Sequence, residues 1–301
     1  MDPDELYTLR AQFWLGHYNL CIEECKATAR RPMSATLKAE REEFLLRAQL
    51  ALGQYDRVIK ECSGGDKSSA IQAIGLQAQY ESSSDDETAK ENIIDKLKTM
   101  LADDASSTSL QLISAHVFLK HGMTREALQC VHLGATMEHL AVALQIYLRI
   151  DRIDLAHQQL ELLRQADEDA VLTQLGMVYV AIATGRSMAD DAIHHLNSLS
   201  EQYGQSPMLL NITAVAYMTA GNMEGADSVL MEARSEHGCG DDADTLVNTV
   251  VCYQHMGKGQ KDIEPLLTQL KSLHPQHPFV QGLVRVEGAF EREALKYAVK
   301  A

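Results

Sequence analysis

Leu210, Ala214 and Tyr217, then Gly221-Asn222-Met223-Glu224-Gly225-Ala226, then Leu230 and Ala233: the reading of this stretch decides the fold of the 301-residue chain. The apolar residues before Gly221 stand four and three apart, the spacing that lines one face of an α-helix. Those after Gly225 repeat it. Gly221 takes positive φ at no steric cost, so the chain can leave one helix there and reverse into the next. Ala226, small and apolar, lets the second helix approach the first closely. The stretch therefore predicts an antiparallel helix pair touching through small side chains.

The same signature recurs. Gly16 leads to Cys21 and Cys25, Gly53 to Val58 and Cys62, and Gly122 to Ala127 and Val131. Asp151 leads to Ala156 and Leu160, Gly185 after a longer turn to Ala192 and Leu196, and Gly257 to Ile263 and Leu267. Neighbouring turns are 29 to 37 residues apart, except for a gap of 69 between Gly53 and Gly122. That gap is about two periods of ~34 residues, so it must hide one more pair. Ile71 to Tyr80 and Thr88 to Leu101 are its expected helices, with Ser82 to Asp86 as the turn. The period and pattern are those of the tetratricopeptide (TPR) repeat. The sequence predicts an all-α, TPR-like helical-hairpin solenoid running as one unit over 1–301. It has roughly eight pairs, and a C-terminal capping region over 273–301 follows the break at His274-Pro275-Gln276-His277-Pro278. The expected loops are Ser63 to Ser69, Ser82 to Asp86, Asp103 to Ser109 and His237 to Asp244, each polar and at a repeat edge.

Composition bounds the function. Hydrophobic residues make up 46% of the chain and aromatics 5%, a balance that suits helices with a sizeable core. The net charge of -15 repels phosphate backbones and anionic leaflets, which argues against nucleic acid and against direct membrane docking. The start, Met1-Asp2-Pro3-Asp4-Glu5, lacks the basic and apolar segments of a secretory signal. The longest apolar run, Gly176 to Ala183, is too short to span a bilayer. Six scattered cysteines without a Cys-x-x-Cys fit reduced, buried thiols and a cytoplasmic location.

Motifs for chemistry are weak. Cys62-Ser63-Gly64-Gly65-Asp66-Lys67-Ser68 has Asp66 where a phosphate loop needs glycine, so it reads as an inter-helix loop. His194 and His195 point about 100° apart on a helix, His116 and His121 are poorly spaced for one face, and His274 and His277 flank prolines. Cys21 and Cys25 share a helix face, at the small-residue positions of the first pair, where core packing is the simpler reading. Asp167-Glu168-Asp169 and Asp241-Asp242-Ala243-Asp244 precede helices and read as N-terminal caps. No catalytic residue, cofactor site or metal site is assigned. A clamp for acidic C-terminal tails, as in TPR co-chaperones, would need converging bases that the first helices of each pair lack. An enzyme centred on His194, His195, His274 and His277 is the remaining alternative.

A solenoid presents the first helix of each pair on its concave side. The repeat register projects Leu148, Met177, Val180, Val215, Met218 and Val251 there. They are the candidates for an apolar, partner-binding strip, and the competing reading packs them between neighbouring repeats.

Several segments go beyond a generic repeat. Asp4-Glu5-Leu6-Tyr7 runs into Phe13-Trp14-Leu15-Gly16-His17-Tyr18, and Glu43-Phe44-Leu45-Leu46-Arg47-Ala48 leads the second pair. Leu148-Arg149-Ile150-Asp151-Arg152-Ile153-Asp154-Leu155-Ala156 is followed by Asp167-Glu168-Asp169-Ala170-Val171-Leu172-Thr173-Gln174-Leu175. Near the end come Thr245-Leu246-Val247-Asn248 and Ser272-Leu273-His274-Pro275-Gln276-His277-Pro278-Phe279. In this order the series resembles the epsilon subunits of coatomer, the COPI vesicle coat, over nearly the whole chain. The resemblance implies a strongly curved, right-handed TPR superhelix without enzymatic activity that encircles the C-terminal region of the alpha subunit of coatomer. It further implies membership of the wider coatomer complex, recruitment to membranes through a small GTPase of the ARF class, and a peripheral place on Golgi membranes and COPI vesicles. Retrograde Golgi-to-endoplasmic-reticulum and intra-Golgi transport are the implied processes.

Overall fold

A computed structural model describes residues 5–64, 67–83, 86–235 and 238–297. Among them are seventeen α-helices and no strand. In order they are α1 (Tyr7–Trp14), α2 (Tyr18–Ala27), α3 (Ala35–Ala51), α4 (Tyr55–Cys62), α5 (Ser69–Ser82) and α6 (Glu87–Asp103). Then come α7 (Thr108–Lys120), α8 (Thr124–Val131), α9 (Met137–Arg149), α10 (Ile153–Ala166), α11 (Val171–Thr184) and α12 (Ala189–Tyr203). The last are α13 (Pro207–Ala220), α14 (Met223–Ser235), α15 (Ala243–His255), α16 (Gln260–Leu273) and α17 (Pro278–Tyr297). The pair expected between Gly53 and Gly122 is α5 and α6. Parts of four expected features lie outside the described residues: Gly65 and Asp66 of the phosphate-loop-like run, Ser84 and Asp85 of a turn, His237 of a loop, and 298–301 of the capping region.

Turns inside and between pairs use different chemistry. Inside six of the pairs the chain reverses through a residue with positive φ. In the second pair the Gly53 N–H donates to Leu50 O and the Gln54 N–H to Gln49 O. The same two bonds recur around Gly16, Gly122, Asp151, Gly221 and Gly257, closing the free carbonyls of each first helix. Between pairs the next first helix starts from a side-chain cap. The hydroxyls of Ser34, Ser68, Ser107, Thr136 and Ser206 accept N–H bonds at the starts of α3, α5, α7, α9 and α13. The Asp242 carboxylate caps α15 in the same way. At the other acidic run, Asp167 accepts the Asp169 N–H just before α11.

After the first six turns the expected helix-contact residues lie where the register predicts. After Gly257 the expected Ile263 and Leu267 are only partly buried, and Leu266 and Leu270 are the buried residues, because the helix enters that turn in a shifted register. Cys21, Val58, Ala127, Ala156, Ala192 and Ala226 are all fully buried, and Cys25, Cys62, Val131, Leu160, Leu196 and Leu230 are buried one turn later. All six cysteines are free thiols, five of them buried. Gly75 of α5 serves the same close approach, since a Cβ there would stand 2.7 Å from Cys62 Cβ.

The chain divides into two compact units: 1–184 with 197–204, and 185–196 with 205–301. In the first, the largest apolar cluster joins α3 to α9 around Ile74, Leu97, Leu110, Ile113 and Ile146. A second cluster holds α1, α2 and α3 together, and a third joins α9, α10 and α11. In the second unit, α13, α14 and α15 share one cluster, and α15, α16 and the start of α17 share another.

Asp151 is the one non-glycine with positive φ (59°) among the described residues, at a turn position that Gly16, Gly53, Gly122, Gly221 and Gly257 fill in five other pairs. A left-handed conformation costs an L-residue about 1–2 kcal/mol, less for Asp. Asp151→Gly should raise stability by up to about 1 kcal/mol, and Asp151→Val should lower it by about 1–2 kcal/mol; urea denaturation of the three proteins checks both signs.

Candidate functional site

In the first unit the chain turns back on itself. α1 packs against α11, the Tyr7 hydroxyl lies 2.8 Å from that of Tyr203 at the end of α12, and a His17 ring nitrogen lies 3.3 Å from Gly204 O. Helices far apart in sequence therefore face one another across the interior of this unit.

The centre of that interior is charged. Arg47 of α3 donates two bonds to the Glu138 carboxylate of α9, at 2.7 and 3.1 Å. Trp14 of α1 donates its indole N–H to the same carboxylate at 2.9 Å. The guanidinium sits 4.6 Å from the Phe13 ring centre and 4.8 Å from that of Phe44. The two rings meet edge to face at 5.2 Å. The Arg47 and Glu138 side chains are 12% and 19% exposed, so both charges are mostly desolvated.

Burial pushes the Glu138 carboxyl up, but Arg47, the Trp14 N–H and His116 together hold it below the usual carboxylate range. Burial and the nearby Arg47 lower His116 to about 4, so this imidazole is neutral at physiological pH. Burial raises the Glu43 carboxyl, against the opposing pull of the Ser109 hydroxyl and Arg47.

Beside the ion pair opens a cavity of about 650 Å³, walled by α1, α3, α7 and α9. Its polar wall includes Glu40, already bound to Arg10 at 2.7 Å, and Glu43. A carboxylate held low by a fixed arginine is a poor proton acceptor, and its oxygens are taken by structural donors. This geometry fixes helices against one another across the interior; it does not poise a nucleophile or a base. Among the described residues no group of three or more His, Cys, Asp or Glu is arranged to hold a metal ion.

The projected strip falls in both units. Met177 and Val180 of α11 are buried in the cluster with Leu140, Leu144, Leu160 and Leu163, and Leu148 is partly buried against it. In the second unit, Val215 and Met218 of α13 and Val251 of α15 are partly exposed. A polar ladder joins these two helices one turn earlier. Asn248 donates to Asn211 Oδ1 at 2.9 Å, Asn211 donates to Thr245 Oγ1 at 2.8 Å, and Thr245 donates to Asp242 at 2.8 Å.

Four of the histidines singled out in the sequence, His194, His195, His274 and His277, have ordinary surroundings. The rings of His194 and His195 are 6.1 Å apart. A ring nitrogen of His274 lies 2.6 Å from Asp241 O, and His277 accepts the Phe279 N–H. Cys21 and Cys25 pack against Leu6, Leu9 and Phe44. Arg47, Glu138 and Trp14 were not picked out as a site from the sequence. The available signals were an arginine inside the apolar run Phe44-Leu45-Leu46-Arg47-Ala48 and the chain's one tryptophan.

Left-handed hairpin turns, fully buried small residues at the helix contacts and first helices facing an interior define a TPR-type helical-repeat protein. Solved structures agree. A tetratricopeptide repeat protein from Parabacteroides merdae is 14% identical, with TM-score 0.58 over 89% of this chain and 97% of its own. The anaphase-promoting-complex hetero-tetramer Cut9-Hcn1 gives TM-score 0.59 at 14% identity, over 92% of this chain and 54% of its own. The particular family is clear from sequence: the model of the coatomer epsilon subunit matches residues 2–298, and the chain belongs to that family. Coatomer subunit epsilon-2 of Oryza sativa subsp. indica is 36% identical over 96% of both chains. Coatomer subunit epsilon-1 of Arabidopsis thaliana is 35% identical over 98% of both, and coatomer subunit epsilon of Dictyostelium discoideum is 30% identical over 97% of this chain and 98% of its own. The chain is accordingly a component of the COPI coat, with a structural role. No described helix is long and apolar enough to cross a membrane.

Arg47→Ala leaves Glu138 buried without its cation and should cost about 3–5 kcal/mol, while Arg47→Met with Glu138→Leu recovers most of that; a double-mutant cycle in urea measures it. Acid should act through His116 as well. Its folded pKa is lowered, so the unfolded chain binds the extra proton, and stability falls as pH drops from about 6.5 to about 4. His116→Gln should flatten the fall across that window by up to about 3 kcal/mol, read from unfolding midpoints against pH.

Proposed function

We infer that this chain is a non-enzymatic structural subunit of coatomer whose helical repeats hold the C-terminal region of the alpha subunit. In this role it serves Golgi-to-endoplasmic-reticulum retrograde and intra-Golgi transport. It acts from the cytosolic side of Golgi membranes and COPI vesicles and reaches the membrane through the coat. The family match over residues 2–298 carries this reading. The physical character of the chain supports it. A net charge of -15 disfavours unassisted docking on an anionic leaflet, so a partner must bring it there.

The partner is gripped through the inner-facing strip. Val215, Met218 and Val251 supply partly exposed apolar surface on α13 and α15 of the second unit, and Leu148 of α9 is a separate, partly buried candidate in the first. Met177 and Val180 are buried against Leu140, Leu144, Leu160 and Leu163 within the first unit. The polar ladder of Asn211, Thr245 and Asn248 keeps α13 and α15 in fixed register beside it. Apolar side chains flanked by such fixed amides suit a lasting grip on another polypeptide, and obligate interfaces of this kind bury about 2,000 Å² or more.

Purified chain mixed with the C-terminal region of the alpha subunit should form a one-to-one complex by size exclusion with light scattering. Val215→Asp combined with Val251→Asp should weaken it at least about a hundredfold in calorimetry while leaving the helical circular dichroism intact. Undiminished binding would move the grip away from this strip. Tight binding of a free acidic C-terminal peptide, with none of the alpha segment, would replace the scaffold reading with a peptide clamp.

A further inference from the structure

The longest helix, α17, shows a face that the fold does not use. It is held to its unit at its start, where Val280 is buried and Phe279 packs against α15 and α16. Farther along, Lys271 bonds Glu287 at 3.0 Å. On either side of that bond, Val284, Val286, Phe290, Leu295 and Tyr297 are 54% to 82% exposed. Residues 283, 286, 290, 294 and 297 stand three and four apart and carry Leu, Val, Phe, Ala and Tyr, a continuous apolar stripe of about four turns. In the hairpins around α3, α7, α9, α13 and α15 the first helix has a second helix packed against it. The outer turns of the α17 stripe stand in solvent.

The charges around the stripe specify what covers it. At ~100° per residue, Glu287 and Glu291 fall on one shoulder and Glu293 on the other. Arg285, Arg292 and Lys296 fall on the opposite side of the helix. The helix thus carries an apolar stripe with acidic shoulders, while its back mixes Arg285, Arg292 and Lys296 with the exposed Val284 and Leu295, and Lys296 reaches Glu293 at 2.7 Å. A second copy of the chain would set glutamate against glutamate on both shoulders, whether the two helices ran parallel or antiparallel. An anionic lipid surface would meet the same acidic shoulders, and the whole chain carries a net charge of -15.

We propose that the exposed stripe of α17, from Leu283 to Tyr297, docks an amphipathic helix of a different protein chain whose apolar face is flanked by lysines or arginines. The apolar residues of that helix cover Val286, Phe290 and Tyr297, and its bases meet Glu287, Glu291 and Glu293. The surface lies on the last helix, on residues other than those of the inner-facing strip.

The test uses the full chain and two fluorescein-labelled three-heptad helical peptides. Both carry Ile and Leu at the core positions; one has Lys at the flanking positions and its twin has Glu. The Lys-flanked peptide should bind saturably, at least about tenfold tighter than its twin at low salt, and Phe290→Lys should abolish binding. A triple variant, Glu287→Lys, Glu291→Lys and Glu293→Lys, should reverse the preference. Phe290 is 73% exposed, so its substitution should leave the melting curve unchanged; Val286→Lys, at a site 64% exposed, is the second variant should Phe290→Lys fail to fold. The proposal is overturned by equal binding of the twins, by no binding of either, or by indifference to Phe290→Lys. It is also overturned by sedimentation of the chain as a dimer that Phe290→Lys dissociates, or by phosphatidylserine vesicles capturing the chain through α17.

Discussion

A helix pair cannot bury its own apolar face, so each one here depends on a small side chain at the place where helices cross. Cys21, Val58, Ala127, Ala156, Ala192 and Ala226 occupy that place with no accessible surface. A leucine at any of them would push two axes apart and disturb the pairs on either side, because interiors at crystal-like density do not absorb a displaced helix locally. The large apolar clusters follow from this spacing. Their branched side chains meet because the small ones have let the backbones close.

A longer-range constraint lies on top of that local one. The Arg47–Glu138 pair, with Trp14 on the same carboxylate, joins three first helices in the first unit. A desolvated ion pair often returns little net stability over a well-packed apolar substitute, but it tolerates few wrong arrangements. Local packing would accept a range of curvatures between neighbouring hairpins. A guanidinium fork that must meet one carboxylate and two aromatic faces accepts far fewer. The charged centre therefore selects one closure of this unit from the many that repeat packing permits.

The local layer was legible in the sequence and the long-range layer was not. Turn positions, small residues and helix order follow from what one residue does to its own backbone or to a helix a few residues away. Even Asp151 follows from register, at a position where the other repeats of this kind of turn carry glycine. The closure depends on contacts 91 and 124 residues apart. Nothing in the spacing of Trp14, Arg47 and Glu138 reveals that they converge. The fate of the projected strip has the same cause. Register says which side of a helix faces inward, but whether Met177 and Val180 meet a partner or a neighbouring repeat depends on how tightly the repeats turn. In this unit they meet Leu140, Leu144, Leu160 and Leu163.

The link from Trp14 to Glu138 also bears on how the chain is made. Ribosomes deliver the amino terminus first, at about 5–20 residues per second. The first hairpin thus emerges well before the acid that will receive its indole, and waits through the synthesis of three more hairpins. During that interval Arg47 and the aromatic rings around it have no anion to close upon. The nascent protein holds an unfinished, half-apolar surface at its leading end, open to chaperones and proteases until the ninth helix arrives.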